Sequence, residues 1–204
     1  MKIAVLLSAG RHPVSGAAVL PRLEAQAIRI AAGLGRAYGL HAGPDVAAVA
    51  DALGQGLGCI EHVALSEGAD PVPALAARLA ATAPDLVVAG RRSQGGDESG
   101  IVPYALAAAL GRPLIPDVVS VAPGAEAGTL CLDQSLGRGA LRRVVVRGPV
   151  VATVHPDAPA PSPMPSAWRG ADPSSRSARS TRPPPIPLRP SPSRNGPTGV
   201  VRSS

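Results

Sequence analysis

The residues best suited to chemistry are gathered in "GRRSQGGDESGIVPY", residues 90–104, between the apolar runs "DLVVAG" and "ALAAALG". A strand handing over to a helix there would place the stretch where free helix N–H groups attract anions. Gly90, Gly95 and Gly96 let the main chain turn tightly and come close to a phosphate. Arg91 and Arg92 add positive charge, and Ser93 and Ser99 add hydroxyls. A second reading needs no ligand: Asp97 and Glu98 complement the helix dipole, with Ser99 or Asp97 as the cap. Residue types alone leave both readings open. The stretch is not a P-loop, since no Gly-Lys-Ser/Thr follows, and it lacks G-x-G-x-x-G spacing. Gly54, Gly56 and Gly58 in "LGQGLG" read as the end of a helix.

Other chemistries find little support. His12, His41, His62 and His155 never fall four apart or beside a cysteine, so no zinc site is expected. His62 lies in an alternating run and is expected to be half-exposed. No Gly-x-Ser-x-Gly elbow is present, and Cys59 and Cys131 have no evident activating base. Tyr38, Tyr104 and Trp168 are too few to stack single-stranded bases. No catalytic constellation emerges.

The elements that must hold the loop alternate. "KIAVLL" (2–7) reads as a buried strand rather than a signal peptide, because Arg11 and His12 follow a short apolar run. "PRLEAQAIRIAAGLGRA" spaces Leu23, Ala27, Ile30, Ala31 and Leu34 as a helix, with Pro21 in its first turn. "YGLHAG" and "CIEHVAL" read as strands, with "PDVAAVADALGQGLG" helical between them until its glycines. Asp70-Pro71 opens a helix that Pro84 closes, "DLVVAG" is a strand, and "GIVPYALAAALG" is a helix ending at Gly111. Strand and helix in turn predict an open, mostly parallel sheet covered on both faces. After Gly111 come four strand-like runs separated by turns, "PLIPDVVSVAPG", "GTLCLDQSLG", "GALRRVVVRG" and "PVVATVH", which predict a late β-meander.

Composition separates a body from a tail. Of 24 prolines, 13 fall between Pro156 and Ser204. Seven arginines there face only Asp157 and Asp172, which leaves five of the chain's six formal positive charges in the tail. The basic balance is therefore weak evidence for nucleic-acid binding by the body, and no specific nucleic-acid partner is expected. Residues 1–156 are expected to form the α/β domain, and 157–204 a disordered Pro/Ser/Arg-rich tail. Such an end also arises when a GC-rich gene is read out of frame. Two cysteines without CxxC spacing suit a reduced, cytoplasmic protein, and no run is long enough to cross a membrane.

The loop also resembles the nucleotide loop of the electron-transfer flavoprotein β-subunit (FixA-like) family, whose fold is adenine-nucleotide-hydrolase-like. The resemblance rests on Gly90-Arg91, Asp97, Pro103 and Ala109-Leu110-Gly111-Arg112-Pro113, with "MKIAVLLS", "HAGP", "CIEHVAL" and "GPVVATVHP" in matching order. It spans about residues 1–156. Arg92 stands where the family has Gln, Gly95 where an acid is common, and Gly100 and Val102 where Gln and Gly are usual. The family's C-terminal docking arm is not recognisable in this tail. The resemblance implies AMP, or in some branches FAD, held by Leu6, Pro21, Arg22, Ala42, Gly90, Arg91, Ser93, Gln94, Gly95, Gly96, Asp97, Glu98, Ser99, Gly100 and Ile101. It also implies an α-subunit carrying the redox FAD, a dehydrogenase as donor and a downstream acceptor. The subunit would carry electrons rather than catalyse a reaction. The alternative is a stand-alone adenine-nucleotide-binding sensor domain.

Overall fold

In a computed structural model, residues 1–92 and 99–163 are described, together with the backbone of 179–181. Ser93, Gln94, Gly95, Gly96, Asp97 and Glu98 of the expected site lie outside the described residues, as does most of the tail.

The apolar runs form the middle of one sheet. Its early strands are β1 (Lys2–Leu7), β4 (Arg36–Gly43), β5 (Ile60–Ala64) and β6 (Leu86–Gly90), all paired in parallel. A small hairpin of β2 (Gly10–Arg11) and β3 (Ala18–Val19) stands apart. Alternation within β1 divides the core. Ile3, Val5 and Leu7 face α1 (Arg22–Leu34), against Ala27, Ile28 and Ala31. Ala4 and Leu6 face the opposite layer, where α3 (Val72–Thr82) brings Leu75 and Leu79 and α4 (Val102–Leu110) brings Leu106. Helices on both faces explain why β6, and β1 after Lys2, are apolar without interruption.

The late strands divide. β7 (Leu114–Pro123), β8 (Thr129–Gly137) and β9 (Ala140–Arg147) form the antiparallel meander. The fourth run, β10 (Val150–Val154), leaves it and inserts in parallel between β6 and β7. Its "VVATV" is buried at every position, as an interior parallel strand requires, whereas β9 is largely exposed. The segment between β4 and β5 is less helical than its composition predicts. It forms a 3-10 turn at Ala47–Val49 and a single turn, α2 (Asp51–Gly54), before Gly56 takes φ +114°.

Beyond β10 the chain stays tied to the body. The buried Gln26 amide donates to the carbonyls of Pro156 at 3.1 Å and Ala158 at 2.6 Å. Further on, β11 (Arg179–Thr181) pairs in parallel with β5. The strand order across the whole sheet is thus β11-β5-β4-β1-β6-β10-β7-β8-β9. No described helix is long and apolar enough to cross a membrane.

Candidate functional site

Chain direction makes a crevice at the carboxyl ends of β1 and β6. The connection from β1 runs through α1 to β4 on one side, while that from β6 runs through α4 to β7 on the other. Where neighbouring strands send their connections opposite ways, an open sheet leaves room for a ligand. A cleft of about 730 Å³ lies there, within the usual range for small-molecule sites. Its walls are the end of β1 with Ser8, the end of β4 from Leu40 to Pro44, the loop 65–72, Gly90 with Arg92, and 100–103. The starts of α3 (Val72) and α4 (Val102) both open onto it, so two positive dipole ends share one space.

Of the expected residues, Leu6, Ala42, Gly90, Gly100 and Ile101 share this lining. Pro21, Arg22, Arg91 and Ser99 do not. Pro21 is buried as the residue before α1, where its carbonyl accepts from the N–H groups of Glu24 and Ala25, and Arg22 is exposed. Arg91 turns toward Asp117 on β7, with 3.5 Å between charged atoms. The Ser99 hydroxyl accepts from the N–H of Ile101 at 3.3 Å. Geometry requires glycine at residue 100, which has φ +71° and a missing Cβ 2.7 Å from the Arg91 carbonyl oxygen; a Cβ at Gly90 would press on Cγ of Glu24 at 3.2 Å.

Several residues in or beside the cleft were not among the expected ones. Glu24, in the first turn of α1, is 3% exposed. The Ser8 main-chain N–H donates to both its oxygens, at 3.0 and 2.9 Å, and the Ser8 hydroxyl donates to Oε1. Burial pushes the Glu24 carboxyl up to about 8, although the Ser8 hydrogen bonds pull the other way. His41 is buried at the end of β4, and its Nδ1 donates to the Leu7 carbonyl at 2.9 Å, joining β4 to β1. Burial holds its imidazole below the ordinary value, partly opposed by that carbonyl. Its ring stacks on His62, with centroids 5.6 Å apart and planes 13° from parallel. His62 is therefore not half-exposed. It is buried, with Nε2 donating to the Gly43 carbonyl at 2.8 Å. The alternating pattern misled because the His41 ring, on the neighbouring strand, stacks on His62, and the Gly43 carbonyl accepts its N–H.

The family model described as electron transfer flavoprotein domain matches residues 20–183. The chain belongs to the electron transfer flavoprotein family. The electron transfer flavoprotein subunit beta of Chromohalobacter salexigens is 39% identical over 174 residues, covering 82% of this chain and 64% of the relative. This family member thus spans a little under two thirds of that relative's length. The family match begins just before α1 and extends past β10 to include β11.

Proposed function

We propose that the chain is an electron transfer flavoprotein β-like subunit holding an adenine nucleotide, AMP or FAD, in the cleft between β1 and β6. The carrying observation is that cleft, with two helix N-termini directed at it, in a chain of this family. Gly90 and Gly100 allow the backbone to approach a phosphate, and Arg92 adds charge at the rim. The apolar Leu6 and Ile101 offer a surface for the base. In this reading an α-like subunit holds the FAD whose isoalloxazine supplies the redox chemistry, and this chain furnishes a shaped wall for it. Electrons pass from a dehydrogenase through that flavin to an acceptor, in the cytoplasm.

A second reading is a nucleotide-binding domain that works alone, since a cleft facing two helix N-termini is also the site such a domain would use. Co-expression with an α-like flavoprotein chain separates the two. The subunit reading predicts a yellow complex of the two chains on size exclusion, with the visible spectrum of bound flavin. A colourless β-like chain eluting alone, yet binding AMP, would favour the second reading.

A further inference from the structure

Ser8 and Glu24 form a pair on the cleft wall whose hydrogen-bond direction depends on one proton. Ser8 is half-buried, and both it and Glu24 line the cleft. Among the described residues no cation pairs with the Glu24 carboxyl, and β6 offers it only Gly90, which has no side chain. A buried carboxylate without a counter-ion is costly, and the neutral acid avoids that cost. When Glu24 is ionised, the Ser8 hydroxyl hydrogen is committed to it. When Glu24 is neutral, its own O–H donates to Ser8 Oγ, and the Ser8 hydrogen is released toward the cleft.

The geometry points to Ser8 as an anion-binding residue, donating to a phosphate oxygen in the cleft only while Glu24 keeps its proton. Glu24 is then a positioning residue: it acts through Ser8, and once ionised it adds a repelling charge. This inference rests on the nucleotide reading above and names the group that reads the phosphate. The raised pKa of Glu24, about 8, puts the change inside an accessible pH window. The other charged or titratable side chains on the cleft are Arg11 on β2, His41 on β4, Glu67 and Asp70 in the 65–72 loop, and Arg92 after β6. Arginine keeps its charge throughout this window. Burial disfavours the charged form of His41, so its ring stays neutral there.

Calorimetric titration of the full chain with AMP between pH 7 and 9.5 tests this, above the second ionisation of a phosphate monoester at about 6. Wild-type affinity falls with rising pH, approaching about tenfold per pH unit beyond the Glu24 value. E24Q removes that slope, because its amide can donate to Ser8 Oγ at every pH. Ser8→Ala binds about tenfold or more weakly at pH 7, with a shallower slope, the loss expected for one hydrogen bond to a charged group. Thermal melts of both variants establish that they are folded. A wild-type affinity that is flat across the window, or a Ser8→Ala variant that keeps the wild-type profile, overturns the inference while leaving the nucleotide reading in place. Absence of AMP binding by wild type at every pH overturns both.

Discussion

E24Q should be more stable than the wild type above pH 8, with the difference shrinking as the solution is acidified. The reason is linkage. Glu24 has a folded value of about 8 against 4.5 for the free side chain. Below the lower value both states hold the proton, and the group has no pH effect. As pH rises from there, the unfolded chain releases a proton that the folded protein must keep, so stability falls. Past the upper value both states are ionised and the fall is complete. At about 1.4 kcal/mol for each tenfold difference in proton affinity, the loss is on the order of 5 kcal/mol. Other titrating groups add their own slopes, so the informative quantity is the difference between E24Q and wild type. Urea unfolding from pH 5 to 9 measures it. Parallel stability curves would show that Glu24 is not held neutral by burial.

Gly100→Val should damage both the fold and the cleft. At φ +71° a β-branched residue is strained, and its Cβ would meet the Arg91 carbonyl oxygen at 2.7 Å. That contact is with backbone, so no rotamer relieves it. Strain of this kind is worth about 1–3 kcal/mol, and relieving it moves residue 100 away from the Arg91 backbone. Stability should drop by about that amount, and AMP affinity should fall about tenfold or more if the moved segment carries part of the site. Chemical denaturation and calorimetry of one preparation measure both. Wild-type values for both would mean that the close approach at residue 100 is not required.

Much of this architecture is legible from pattern. The uninterrupted apolar runs of β1 and β6 announce interior parallel strands, and the spacing in α1 announces a helix packed on one face. β10 carries the same signal, five buried residues without alternation, yet its position after turn-separated strands makes it read as part of the meander. Where a strand inserts depends on which neighbours still lack a partner, and local pattern does not contain that. The site divides similarly. The strand-to-helix handover points to Gly90, and the family resemblance adds Leu6, Ala42, Gly100 and Ile101. The apolar spacing in α1 passes over Glu24, which stands three and four residues before the buried Ala27 and Ile28. A charged residue in an apolar stripe is the signal that could have found it. No such signal marks Ser8 or the contact between His41 and His62, because both depend on how separate strands end in space.

The central claim is that an adenine nucleotide sits between the carboxyl ends of β1 and β6. The most direct measurement is an amide-resolved nuclear magnetic resonance titration of the full chain with AMP. Saturable shifts should gather at Ser8, Ala42, Gly90 and Gly100, with the β7–β9 meander unchanged. Shifts confined to the meander, or none at millimolar AMP, would contradict the account.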